Sequence, residues 1–221
     1  MRPWAVGPRR GVFVLGLALG LALPALPAGA AAYDDFIQAV QNSRPKEVVA
    51  LLKRGMDPNS VDTKGQPVLH IAARENNLEV VQALVAAGAD IDRRNAVKET
   101  PIMLASLAGS TKIVEFLLSK DAQINQPGWT PLLYAATNGH TDIVKLLLDN
   151  SAYIDSAAPN GTTPLMMAVR GGYIDTVRLL LEEGADPTLK NENGDTASSW
   201  ALKGKQTDMA ELISIKIKAR K

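Results

Sequence analysis

The chain of 221 residues contains no cysteine, only two histidines and 5% aromatic residues. Without cysteine there is no disulfide staple, no thiolate nucleophile and no thiolate metal ligand, so packing alone must hold the fold. Two histidines are too few for a compact zinc set, and no other residues converge on them in sequence to suggest a triad. Few aromatics leave the core to aliphatic side chains. With 46% hydrophobic and 21% charged residues the chain has enough of them to fold. An excess of one charge is missing too. The formal charge is +1, and Arg2, Arg9 and Arg10 all precede residue 33 while no acid does; the remainder has 21 basic against 23 acidic residues, or −2. A nucleic-acid or membrane-surface protein needs concentrated positive charge, which this chain lacks. It also has no glycine-rich phosphate loop and no nucleophile elbow.

Residues 1–32 read as a secretory signal peptide. Arg2, Arg9 and Arg10 form a basic segment, Gly11 to Leu23 carries no charge, and Pro24 and Pro27 end the run. Ala28-Gly29-Ala30 and Ala30-Ala31-Ala32 offer the small-x-small pattern that a signal peptidase reads. The uncharged run would cover about 20 Å as a helix, short of the roughly 30 Å of a bilayer core. Cleavage near residues 30–32 is therefore expected, with an inner-membrane anchor as the alternative. Arg9-Arg10 also fits a loose twin-arginine pattern, so the general secretory and twin-arginine routes both stay open.

Beyond residue 32 the sequence repeats. Gln66-Pro67-Val68-Leu69-His70, Thr100-Pro101-Ile102-Met103, Thr130-Pro131-Leu132-Leu133, Thr163-Pro164-Leu165-Met166 and Thr196-Ala197-Ser198-Ser199 fall in one register, at spacings of 33, 30, 33 and 33 residues. A second motif keeps step: Val80-Val81, Leu84-Val85; Ile113-Val114, Leu117-Leu118; Ile143-Val144, Leu147-Leu148; Val177, Leu180-Leu181. Threonine supplies an N-cap oxygen, and proline suits the first helical turn, where its missing N–H is no loss. The i, i+3, i+4 stripe is one that a single helix cannot bury, so neighbouring units must stack. Gly55, Gly88 and Gly184 sit where a helix ends in the left-handed conformation; Asp121 and Ser151 replace that glycine, so the middle of the stack is expected to be less well capped.

These columns resemble the ankyrin-repeat family over residues 33–215; with the leader, the chain resembles exported, periplasmic bacterial members of it. The resemblance implies an all-α solenoid of about six helix-turn-helix repeats joined by hairpin-like turns. The units are read as 33–62, 63–95, 96–125, 126–158, 159–192 and a capping repeat at 193–215, followed by a basic tail at 216–221 expected to be solvated and frayed. On the cap, Lys203, Lys205 and Gln206 are expected to keep the outer side wet. His70 lies in the family's Thr-Pro-Leu-His column and His140 in its Gly-His column; both are structural in the family. No catalytic residue, metal or cofactor is expected, and no enzyme.

Family members bind partners with turn tips and the concave face of the first helices. Carried onto this chain, that implies Arg74, Glu75, Leu107, Arg170 and Lys203 at variable surface positions. One helical turn earlier stands the apolar ladder Ile71, Leu104, Tyr134, Met167 and Trp200, which either packs between repeats or faces a partner. Tyrosine and tryptophan keep a polar edge, which makes Tyr134 and Trp200 candidate anchors. One turn departs from the pattern. Between Asn125 and Thr130 three residues are missing, leaving Gln126-Pro127-Gly128-Trp129, where Pro-Gly demands a tight turn. Trp129 either plugs the gap or, with Tyr134, forms the interaction hot spot. The expected function is a non-catalytic scaffold or accessory factor in the bacterial cell envelope, periplasmic, with another protein as partner. The alternatives are an inhibitor or immunity-type protein that occludes an enzyme, or a secreted host-directed effector. Neither nucleic acid nor a small-molecule substrate is expected as partner, and membrane contact only if the leader stays uncleaved.

Overall fold

In a computed structural model, residues 28–219 are described; most of the proposed signal segment, 1–27, and the last two residues of the tail lie outside them. Among the described residues there are twelve helices. They form six hairpins: α1 (Ala28–Gln41) with α2 (Pro45–Lys53), α3 (Val68–Arg74) with α4 (Leu78–Ala86), α5 (Pro101–Ala108) with α6 (Thr111–Leu118), α7 (Pro131–Thr137) with α8 (Thr141–Asp149), α9 (Pro164–Gly171) with α10 (Ile174–Glu182), and α11 (Ala197–Lys203) with α12 (Thr207–Ala219). The odd-numbered helices pack in one row and the even-numbered helices in a second, which gives the expected repeat solenoid.

The local reasons are those of the sequence columns. Thr130, Thr163 and Thr196 accept from the backbone N–H three residues on, at 3.2, 3.3 and 3.2 Å. Pro101, Pro131 and Pro164 open their helices at the first turn. On the second helices, Leu84, Leu117, Leu147, Leu180 and Ile213 are all fully buried. At about 1.5–3 kcal/mol for each such side chain, this column is a main source of stacking energy. Asp121 and Ser151 adopt φ of 61° and 68°, where Gly55 and Gly88 have 94° and 93°. Those two helix ends therefore carry the left-handed strain that glycine avoids elsewhere.

The C-terminal end departs from expectation. α12 runs on to Ala219, and Ile217 packs against the core one turn beyond Ile213, so the first residues of the basic tail continue the helix. Lys203 and Lys205 are exposed and Gln206 half-buried, but Leu202 is 65% exposed. It occupies the column of Ala73, Ser106, Ala136 and Val169, each of them buried and each followed by a further hairpin among the described residues.

Four of the hairpin-like turns share one geometry. The segments 62–66, 95–99, 158–162 and 191–195 each close with a backbone bond from the first N–H to the fifth carbonyl, at 2.8–2.9 Å. These five-residue loops are the turn tips. The shortened connection at 126–129 has none.

Candidate protein-interaction surface

A polar ladder fixes how one repeat sits on the next. The side-chain oxygens of Asn59, Asp92, Asn125 and Asp155 accept from the backbone N–H of Asp90, Gln123, Tyr153 and Asp186 in the following repeat, at 2.9, 2.9, 2.9 and 3.0 Å. Asn125 also donates to the Ser151 carbonyl at 2.8 Å. The sequence signal for this ladder is an Asn/Asp column at the spacing of the repeats, and reasoning from helices alone passes over it. Because Asn125 keeps its rung, the three missing residues fall after it, wholly within the tip.

Both histidines stitch repeats together. The buried His70 donates from Nε2 to the Glu99 carbonyl at 2.9 Å, and His140 Nε2 lies 3.1 Å from the Leu107 carbonyl. Burial pulls the His70 pKa below its ordinary value, against the opposing pull of the Glu99 carbonyl bond. The neutral, Nε2-protonated ring is therefore the resident form.

Around the shortened turn the structure gathers a cluster. The Trp129 and Tyr134 ring centroids lie 5.2 Å apart, tilted by 42°. The Tyr134 hydroxyl donates to Glu99 Oε1 at 2.8 Å, and Asn95 Nδ2 donates to Glu99 Oε2 at 2.8 Å. Burial first, and the Glu99 contact second, push the Tyr134 phenol well above its usual pKa, so it stays a donor. Arg94 Nη2 donates to Gln126 Oε1 at 2.8 Å. All of these side chains except Asn95, together with Val97, Lys98, Met103 and Pro159, line a cleft of about 270 Å³. Trp129 is 36% exposed and Val97 71%. On the far side of the same turn, Asn125, Pro127, Tyr153 and Ala157 line a second cleft of about 320 Å³.

The other candidate residues scatter along the stack. Arg74 pairs with Glu75 at 3.3 Å, both exposed. Leu107 is half-buried, and its carbonyl takes Asn138 Nδ2 at 2.8 Å as well as His140. Met167 is buried at 3%, like Ile71 and Leu104 in the same ladder; it supports the concave face from below and presents no surface. Trp200 is half-exposed under the Arg170 guanidinium, 5.9 Å from its ring centroid. Lys203 Nζ meets Asp195 Oδ1 at 2.6 Å. Hydrogen bonds from Lys203 first and Trp200 second hold that carboxyl below its ordinary pKa. The expected set thus gathers in two places, Trp129 with Tyr134 at the shortened turn and Arg170, Trp200 and Lys203 around Asp195 near the C-terminal end. No group of three or more His, Cys, Asp or Glu among the described residues could hold a metal ion, and no helix among them is long and apolar enough to cross a membrane.

Stacked helical hairpins joined by turn tips define a helical repeat protein of the kind that binds other proteins. The family model for ankyrin repeats (3 copies) matches residues 36–127, 124–191 and 154–220, and the chain belongs to the ankyrin-repeat family. The human ASB11 ankyrin repeat domain superposes with a TM-score of 0.76 at 26% identity, covering 82% of each chain. The glycerophosphocholine phosphodiesterase gde1 of Schizosaccharomyces pombe is 37% identical over 87 residues, which is 38% of this chain but only 8% of that protein. The Notch-regulated ankyrin repeat-containing protein of Xenopus laevis is 35% identical over 89 residues, 38% of this chain and 78% of that one. The chain thus spans a small part of the phosphodiesterase, and the shared part is the repeats. Ankyrin repeats are generally protein–protein interaction modules, and the fold is typically non-catalytic.

Proposed function

We propose that the chain is a non-catalytic interaction module of the bacterial cell envelope, exported to the periplasm and acting as a scaffold or accessory factor. The leader-like residues 1–32, with their basic start and uncharged run, support the location. The observation that carries the binding reading is the aromatic pair at the shortened turn. Trp129 is a large side chain left in part to solvent, while Tyr134 beneath it is held by a bond to Glu99. A preformed anchor of this kind loses little freedom on binding, and tryptophan and tyrosine are the residues that dominate interface energies.

Fractionation with periplasmic and cytoplasmic marker proteins tests the location; a cytoplasmic pool of full-length chain would refute it. Capture from periplasmic extract, comparing wild type with Trp129→Ala of equal melting temperature, tests the surface. Loss of one specific protein from the variant's eluate is expected. Identical eluates would remove Trp129 from the reading. If the captured protein is an enzyme and loses activity in the complex, the chain is an inhibitor instead of a scaffold.

A further inference from the structure

The row of turn tips is missing a member. Neighbouring tips meet where both are present, in two different ways: Glu192 N–H in the tip at 191–195 donates to the Asn160 carbonyl in the tip at 158–162, at 3.0 Å, and Asn95 Nδ2 in the tip at 95–99 donates to Gln66 Oε1 in the tip at 62–66, at 3.5 Å. Between 95–99 and 158–162 the intervening tip is cut down to Pro127-Gly128. The resulting notch is the 270 Å³ cleft, with Val97 and Lys98 on one wall, Pro159 on the other and Trp129 and Tyr134 at its base.

The wall at 95–99 differs from the other three tips at two positions. The third residue is Lys64, Asn160 or Asn193 elsewhere, and here it is Val97, 71% exposed. The fourth is Gly65, Gly161 or Gly194, at φ of 75–76°; here it is Lys98, at φ 66°. A lysine held in the left-handed region is strained, and such strain beside a cleft points to use. Two departures, one apolar and one cationic, thus flank the same gap. Arg94 adds a second cation on its rim. The one acid there, Glu99, already has both oxygens engaged by Tyr134 and Asn95. The Val97 carbonyl corresponds by position to that of Asn160, which takes the Glu192 N–H of the neighbouring tip.

We propose that the notch receives an extended segment of a partner protein that takes the place of the missing tip. Such a segment carries one large apolar side chain beside a carboxylate. The apolar side chain enters between Val97 and Trp129, the carboxylate meets Lys98 and Arg94, and a backbone N–H of the segment reaches the Val97 carbonyl. The volume lies just below the roughly 300–1,000 Å³ of small-molecule sites, which suits a single anchoring side chain. This rests on the interaction-module reading and adds the chemistry of the partner.

The test is a displayed library of random short peptides, selected on the full chain and counter-selected on a variant whose residues 126–129 are replaced by the sequence at 156–162. That replacement rebuilds the tip and fills the notch. Peptides pairing a large apolar residue with Asp or Glu are expected, bound by the wild type and not by the filled variant. Trp129→Ala should weaken them about thirtyfold, as loss of a hot-spot side chain does. Lys98→Gly should weaken them about fivefold, the scale of an exposed ion pair, while raising the melting temperature; a purely structural lysine would show the second change without the first. If the filled variant does not fold by circular dichroism, Lys98→Glu replaces it and must lose the acidic peptides. Selected peptides without acidic enrichment, or failure to recover any, overturn the proposal. Peptides that bind wild type and filled variant equally also overturn it, but leave the interaction module standing, since they then bind elsewhere on the stack.

Discussion

The buried imidazole of His70 reaches out of its own repeat and donates from Nε2 to the Glu99 carbonyl, 2.9 Å away at the foot of the next turn tip. The Glu99 side chain in turn receives Tyr134 from the repeat beyond. Three successive repeats are thereby joined through one glutamate, and the aromatic pair at the notch rests on that join.

Burial lowers the His70 pKa in the folded state. The unfolded chain therefore takes up a proton near pH 6.5 that the folded chain refuses until lower pH. The His70 contribution is fully present above about pH 6.5 and is lost as pH falls from there toward the depressed folded value, at up to about 1.4 kcal/mol per pH unit. Thermal melts between pH 7.5 and 5 should show this slope, and His70→Gln, which keeps a donor and cannot titrate, should remove it. Equal slopes in both chains would mean that His70 is not buried neutral.

Much of the stack is legible in the amino-acid sequence. An aliphatic stripe repeated every 33 residues leaves one arrangement, because Leu84 and its counterparts have nowhere to be buried except against the next repeat. The ladder Ile71, Leu104, Tyr134, Met167, Trp200 is not separable in sequence, since packing and partner contact both ask for apolar residues there. The structure divides it by size: Ile71, Leu104 and Met167 are buried, while the two large rings stay half out. The notch is visible in sequence only in part. The lost residues and Trp129 stand out, but Lys98 in a glycine column does not, because the apolar period belongs to the helices and the tips lie between them. Ile217 is hidden by its cationic neighbours Lys216 and Lys218.

Asp121 and Ser151 hold left-handed φ values at helix ends where other repeats use glycine. Replacing either with glycine should stabilise the chain by roughly 0.5–1 kcal/mol, the steric relief exceeding the extra entropy of the unfolded chain. For a domain of this size that is about 1–4 °C in melting temperature. Calorimetry on Ser151→Gly, Asp121→Gly and the double variant checks it, and additivity is expected for sites in separate repeats.

Asn125 uses both ends of its amide, accepting from the Tyr153 N–H and donating to the Ser151 carbonyl. Asn125→Asp keeps only the acceptor, as Asp92 does naturally at the same rung. Asn125→Ala keeps neither. The expected order of stability is wild type, then Asp, then Ala, with about 0.5–1.5 kcal/mol for each exposed bond lost. Hydrogen exchange at the Tyr153 amide should quicken in the alanine variant alone. Unchanged protection there would detach Asn125 from the coupling between repeats.

Tyr173 lies across the glycine turn of the preceding repeat. A Cβ on Gly139 would stand 2.3 Å from the Tyr173 ring, and Gly139 is itself at φ 69°. Gly139→Ala therefore meets two penalties: about 1–2 kcal/mol for the left-handed backbone and about 1–3 for the overlap. Gly88→Ala meets only the first, since its φ is 93° and nothing lies within 4 Å of the added carbon. Adding Tyr173→Ala removes the overlap and leaves the backbone term. Against the Tyr173→Ala background, Gly139→Ala should then cost about what Gly88→Ala costs. If Gly139→Ala is equally harmful with and without the ring, the ring moves aside freely, and the contact does not hold the repeats in register.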